Sequence, residues 1–341
     1  MTLYPLLMAP SFRSGEDTPW GGNMLRDAFM KDAPEQTGES MEISALPGHE
    51  SMVRNGAHTG KTLTRMVELW GEALTGKIEG EFPLLLKLID AQQPLSVQVH
   101  PDDEYAKKYE GGKLGKTEAW IVLNCEEGAK LAYGLNTNGK SLKEIIDAGS
   151  EAIEASLNWV SVRPGDVYYI PSGMVHAIGA GMQIYEIQQS SDVTYRFWDW
   201  GRVGKDGNPR QLHISQSLDV TRPETHLSKI YGVTSLCKGG SRTYYISNRY
   251  FELCRLNVSG SMPLCDGRML FITPLGSCTL KWGEEEMELA PFDSVLIPAG
   301  MEDVRIESDD CKVLMSSLPN QELLKTELGY RAESVAGLTE E

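Results

Sequence analysis

Residues 163–202 read RPGDVYYIPSGMVHAIGAGMQIYEIQQSSDVTYRFWDWGR. Pro164 and Gly165 open the stretch as a turn. The apolar run Val167 to Ile170 follows and is stopped by Pro171 and Gly173. Two further strand-like runs come next, Met182 to Gln188 with Glu186 inside it, and Thr194 to Trp200 with Arg196 inside it. Short β-rich runs punctuated by Gly and Pro at this spacing predict antiparallel strands. His176 stands directly after the Pro171–Gly173 corner. A single histidine beside a turn is more often structural than a ligand, so His176 needs partners from elsewhere. Alternation puts Arg196 on one face with Trp198 and Trp200, so a guanidinium stacked on aromatic rings is one reading of it.

Two other stretches supply candidate partners. In PLSVQVHP, Pro94 to Pro101, successive strand side chains alternate sides, so Ser96, Gln98 and His100 share one face and Leu95, Val97 and Val99 the other. In KTEAW, Lys116 to Trp120, the residues Lys116, Glu118 and Trp120 share a face. Polar groups aligned along apolar strands must meet water or a polar cavity, because burying them unpaired costs about 2–7 kcal/mol. Gln98, His100, Glu118 and His176 make a set of two nitrogens and two oxygens. That set suits a borderline divalent ion such as zinc. The competing reading is a solvated β face with two unrelated histidines.

The remaining composition narrows the class. At 341 residues the chain has room for two domains, and 41% hydrophobic with 23% charged residues describes a globular protein. A net charge of −16 argues against nucleic acid or an anionic membrane as partner. An anionic substrate then needs a locally basic pocket inside an acidic shell. The six cysteines are scattered without CxxC spacing, and Leu3 to Met8 is too short for a signal or a membrane span. The expected location is cytoplasmic, with reduced thiols. An oligomer is compatible with the sequence.

The motifs QVHP (98–101), KTEAW (116–120) and IPSGMVHAIG with EIQQSSDVTYRFWDWGR, in this order, resemble type I mannose-6-phosphate isomerases of the short bacterial branch. PWGG (19–22), Leu25-Arg26 and GESMEIS (38–44) add to the likeness, which covers about the first two thirds of the chain. Met41 stands where that family shows an aromatic, Ile178 stands where its longer members show one, and Glu186 follows His176 by one residue more than in those longer members. The resemblance implies an aldose–ketose isomerase acting on mannose 6-phosphate and fructose 6-phosphate. It implies one divalent metal, most simply zinc, on Gln98, His100, Glu118 and His176. It also implies Arg196, Lys116 and Glu186 as catalytic residues, with Ser96, Lys87 and Lys116 near the phosphate or sugar oxygens. The alternative on the same scaffold is a phosphosugar-binding or regulatory module without turnover. A metal-dependent oxygenase is a third reading, and it would prefer a more histidine-rich ligand set.

An internal repeat fixes the architecture expected for the whole. Ala290 to Met301, APFDSVLIPAGM, aligns with Arg163 to Met174, RPGDVYYIPSGM. The turn, apolar strand and Ile-Pro-x-Gly corner resemble cupins, which are double-sheet jelly rolls. The expected fold is mainly β with two such jelly rolls. Residues 1–230 form the catalytic domain with helical insertions at about 61–76 and 141–157, the second covering one end of the barrel. Residues 231–318 form a smaller domain without a metal site, since Asp303 aligns with His176 and no histidine follows His226. Residues 319–341 form a polar tail with a weak helical pattern and a disordered end. Trp20, His213 and His226 read as core or loop residues, and PWGG as a tight turn.

Overall fold

The computed structural model describes residues 2–78, 80–204, 207–225 and 227–337; His226 lies outside the described residues. It is mainly β, with antiparallel sheets and few helices. Contacts divide the chain into two units. One comprises residues 12–40 and 88–229; the other comprises 1–11, 41–87 and 230–341.

The unit containing residues 163–202 is built on two sheets. In one sheet, Val167–Ile170 pairs with Glu118–Cys125, which pairs with Met182–Gln189. In the five-stranded sheet, Tyr195–Trp198 lies beside Val97–Val99, then His176–Ile178, Lys130–Leu135 and Leu157–Ser161. Trp120, Val122, Ile170 and Ile184 from the first sheet meet Leu131, Tyr133 and Ile178 from the second in one buried cluster. Ile178 therefore fills the core between the sheets. The PWGG turn is also structural: Trp20 is buried in this cluster, and a Cβ on Gly21 would lie 2.4 Å from the backbone nitrogen of Gly38.

The helices at 141–157 do not cover an end of the barrel, as expected, but the outer face of the five-stranded sheet. Leu142, Ile145 and Ile153 pack with Val97, Val99, Ala177 and Phe197. The first helix, Leu142–Asp147, starts at a capping box between Ser141 and Glu144, and Gly149 at φ +92° breaks it from Ser150–Ser156. The helical insertion at 61–76 forms Leu63–Trp70, capped by Thr62, and Glu72–Thr75. Its buried side includes Leu63, Met66, Trp70 and Leu74. The 3.6-residue period selects Trp70 for that stripe.

The other unit holds a ten-stranded sheet, in which Leu6–Ala9 pairs with Ser294–Ile297 and with Met52–Val53. This pairing, Leu6 opposite Leu296 and Met8 opposite Ser294, groups residues 1–11 and 41–87 with 230–341 instead of leaving all of 1–230 in one unit. The reason is the non-local register, which no local periodicity carries.

The internal repeat is reproduced bond for bond. Asp166 and Asp293 each accept from the backbone nitrogen three residues earlier, at 3.0 and 2.9 Å. Met174 N and Met301 N each donate to the proline carbonyl three residues back, both at 3.2 Å. Gly165 has φ +89°, and Phe292, its counterpart, has φ +65°. A phenylalanine held in that sparsely populated region shows how strongly the surrounding turn dictates the conformation.

The tail is not simply a polar extension. Gln321–Leu328 is a helix capped by Asn320, and Leu324, Leu328, Ala332 and Val335 join the core of their unit. Residues 338–341 lie outside the described residues. Leu324 is 0% exposed. Leu324→Ala is therefore expected to cost about 2–5 kcal/mol, read as a shift of the urea midpoint. A loss below about 1 kcal/mol would show that this helix does not contribute to the core.

Candidate metal centre

Both sheets deliver side chains to one point. Val97–Val99 and His176–Ile178 are antiparallel neighbours with Gln98 opposite His176, so their side chains leave the sheet on the same side. His100 follows Val99 directly. From the other sheet comes Glu118, the first residue of Glu118–Cys125. The result is a buried group: His100, Glu118 and His176 are 1%, 0% and 0% exposed, and one ligand atom from each lies within 4.8 Å of the others. His176 Nε2 is 3.3 Å from Glu118 Oε1, and His100 Nε2 is 3.6 Å from Glu118 Oε2. The Gln98 amide nitrogen is 3.3 Å from His176 Nε2. An amide at this position can equally present its oxygen, since the two ends are interchangeable by a flip.

The protonation of the imidazoles follows from their far sides. His100 Nδ1 lies 3.0 Å from the Val193 carbonyl, and His176 Nδ1 lies 2.8 Å from the Met174 carbonyl. A carbonyl only accepts, so each Nδ1 carries the proton, and a neutral ring then turns the Nε2 lone pair toward Glu118. Burial pushes the pKa of His176 down to about 4; the Met174 carbonyl raises it, Lys116 lowers it and Glu186 raises it. His176 is therefore neutral at pH 7. The His176 lone pair aimed at a buried carboxylate repels it, and Glu118 Oε1 accepts no hydrogen bond among the described residues. A cation among them reverses both costs. Two imidazoles fixed through Nδ1, a carboxylate and an amide make a donor set that fits a divalent ion.

Lys116 and Arg196 flank this group. Lys116 Nζ is 2.8 Å from Glu118 Oε2, with its side chain 6% exposed. Burial opposes its charge, but Glu118 and Glu186 outweigh burial and hold its pKa above the ordinary lysine value. Gly115 allows this placement, since a Cβ there would lie 2.4 Å from the Asp102 backbone. Arg196 Nε donates to Ser96 Oγ at 3.0 Å, and Nη1 to the Gln211 carbonyl at 3.3 Å. Ser96 Oγ in turn lies 3.4 Å from Gln98 Oε1. Arg196, Ser96, Gln98 and His176 thus form one polar chain.

Strict alternation misplaces the aromatic neighbours of Arg196. Arg196 pairs with Gln98, but Trp198 pairs with Val97, because the register shifts between Arg196 and Trp198. This irregularity turns Trp198 and Trp200 to the outer face, where they pack with Val97 and Phe197. Their rings lie 4.2 Å apart between centroids, and Arg196 stacks on neither among the described residues. Glu186 is 3% exposed and accepts from Trp120 Nε1 at 2.8 Å. Trp120 in turn meets the His176 ring edge-on at 5.4 Å. Lys87 is buried in the strand Leu84–Ala91.

The residues that hold this geometry were not singled out from the sequence. Gln188 is directly opposite Glu118 and donates to the Gln189 and Ser191 carbonyls at 2.8 and 2.7 Å. Gln189 Oε1 accepts from Thr117 N at 2.9 Å, next to Glu118. Ser191 Oγ donates to the Leu114 carbonyl at 2.8 Å and accepts from Val193 N at 3.3 Å, which brings the Val193 carbonyl to His100. The signal was present as four consecutive polar residues, QQSS, at the end of an apolar strand. Farther along, Arg202 and Arg210 line a cavity of about 730 Å³ together with Gln36 and Asn208. Lys116 thus places a cationic group beside the centre inside an acidic chain.

Residues 13–119 match the family model for the catalytic domain of type I phosphomannose isomerases. The chain is 37% identical to the mannose-6-phosphate isomerase ManA of Bacillus subtilis over 90% of its own length and 97% of that protein. It is 38% identical to the mannose-6-phosphate isomerase of Streptococcus mutans over 85% and 92% of the two chains. Among solved structures it is similar to the crystal structure of a mannose 6-phosphate isomerase from Bacillus subtilis. That match has a TM-score of 0.85 and 34% identity, over 92% of this chain and 99% of the other.

Proposed function

We propose a reaction for this centre from one premise: the chain belongs to the type I phosphomannose isomerase family, in the bacterial branch that includes ManA of Bacillus subtilis. It is a mannose-6-phosphate isomerase, interconverting mannose 6-phosphate and fructose 6-phosphate. The observation that carries the reading is the convergence of a buried His100–Glu118–His176 group with Lys116 and the Arg196–Ser96 pair. The two units are read as cupin-type jelly rolls, supported by the matching bonds at Asp166 and Asp293. The second unit is read as structural, because Asp303 at the position of His176 is exposed and paired with Arg305.

His100, Glu118, His176 and Gln98 would hold one divalent ion, and the two-nitrogen, two-oxygen set favours zinc. When bound, that ion supplies Lewis acidity toward sugar oxygens. The chain's own residues supply the rest. Isomerisation moves a proton between C1 and C2 and leaves negative charge on oxygen along the way. Lys116, kept protonated by Glu118 and Glu186, is assigned to supply positive charge to that oxygen. Arg196, oriented by Ser96 and Gln211, is assigned to the same developing charge through its remaining guanidinium edge. Glu186, with one oxygen fixed by Trp120 Nε1, is assigned as the base that takes the proton from one carbon and returns it to the other. Ser96, Lys87 and Lys116 are assigned to sugar or phosphate oxygens. The location is read as cytoplasmic, supported by six free cysteines. No described helix is long and apolar enough to cross a membrane.

The expected result of a coupled assay is formation of fructose 6-phosphate from mannose 6-phosphate at roughly 1–1000 turnovers per second. Binding of mannose 6-phosphate by folded, metal-loaded protein without any product would overturn the assignment in favour of a binding module.

A further inference from the structure

We propose that Asp199 is a positioning residue for Arg196, acting by clipping in place the two backbone segments that support its guanidinium. The inference rests on the role given to Arg196 above. Asp199 is 6% exposed, and both its oxygens are engaged by arginines. Arg210 grips it with a two-pronged fork, Nε to Oδ2 at 2.7 Å and Nη2 to Oδ1 at 2.6 Å. Arg202 Nη2 adds a third contact to Oδ1 at 3.1 Å. Asp199 therefore works through its neighbours and not on a substrate.

Those neighbours converge on Arg196 from two sides. On one side, Arg210 precedes Gln211, whose carbonyl accepts from Arg196 Nη1, and His213 N donates to the Arg196 carbonyl at 2.7 Å. The fork on Asp199 thus anchors the segment that runs alongside Arg196. On the other side, Trp200 and Gly201 at φ +58° and +67° make a sharp turn directly after Asp199. From that turn Trp200 Nε1 donates to the Leu95 carbonyl at 2.6 Å and Arg202 Nη2 to the Pro94 carbonyl at 2.5 Å. Leu95 adjoins Ser96, which receives Arg196 Nε at 3.0 Å. Asp199 sits where the two supports meet.

Charge gives the carboxylate a second task. Burial lowers the pKa of Arg196, and Arg210 and Arg202 lower it further by repulsion, while Asp199 raises it. Three guanidiniums share one region, and Asp199 is the carboxylate that offsets them. A bidentate Arg–carboxylate pair is the geometry suited to fix orientation as well as charge.

The experiment measures kcat and KM for mannose 6-phosphate in the metal-loaded protein for Asp199→Asn, Arg196→Ala and the double variant. Asp199→Asn is expected to lower kcat about tenfold or more with metal content unchanged, the scale of a misplaced catalytic group. Added to Arg196→Ala, it should cost nothing further, because residues acting as one unit are non-additive. Wild-type kcat in Asp199→Asn, or a full multiplicative loss in the double variant, overturns the inference while leaving Arg196 in place. Wild-type kcat in Arg196→Ala removes the role of Arg196 and the inference with it, so the two failures carry different signatures. If Asp199→Asn does not fold, Arg210→Gln breaks the same fork from the partner that is 22% exposed and is read by the same criteria.

Discussion

His176→Ala is expected to abolish both metal retention and turnover while leaving the protein folded. His176 is fully buried, its Nδ1 is committed to the Met174 carbonyl, and its Nε2 faces Glu118 at 3.3 Å. Removing the imidazole deletes one nitrogen from a four-donor set. Loss of a mere supporting partner of a metal ligand costs about 10–100-fold in metal affinity. Loss of the ligand itself should exceed that, leaving little metal after dialysis. His100→Ala should behave alike, since its ring is held by the Val193 carbonyl in the same way. His58→Ala is the control: its ring lies against Tyr4 and Trp70 in the other unit and should keep full metal content. Elemental analysis with a melting curve decides the matter. A folded His176→Ala protein that keeps one equivalent of metal and full turnover would refute the ligand assignment.

Arg196→Ala is the second large expected effect. A turnover loss of about a hundredfold or more is expected, the scale seen when a donor to developing negative charge is removed. The melting temperature should change little, because Arg196 is half-buried and its contacts are two hydrogen bonds, not a ring stack. The irregular pairing that turns Trp198 and Trp200 away removes the stacking role that strict alternation would have given it. Arg196→Lys should recover only part of the activity. One ammonium cannot serve Ser96 Oγ, the Gln211 carbonyl and a substrate oxygen with the fixed directions of a guanidinium. A large drop in melting temperature with normal turnover per folded molecule would reassign Arg196 to structure.

The convergence of His100, Glu118 and His176 was legible because these residues obey short-range rules. Ser96, Gln98 and His100 alternate along one strand, and Glu118 and Trp120 along another, so period two alone placed each set on one face. The Ile-Pro-x-Gly corners were readable because turn chemistry is local, and the equivalence of Gly165 and Phe292 survived even the loss of the glycine. What escaped depends on pairing between distant segments. The partnership of Leu6–Ala9 with Ser294–Ile297 joins strands nearly three hundred residues apart in sequence, and nothing in LLMA names its partner. The shift at Arg196–Trp198 is a single-residue event in a strand whose alternation looks regular. Gln188, Gln189 and Asp199 matter through what they touch across the fold. A buried polar residue announces that it has a partner without saying which.

Titration of metal-depleted protein with zinc, following conversion of mannose 6-phosphate to fructose 6-phosphate at each addition, tests the central claim most directly. The account predicts negligible conversion at zero metal and a linear rise that ends at one equivalent per chain. Full conversion by protein shown to be free of metal, or a rise that continues to two equivalents, would contradict it.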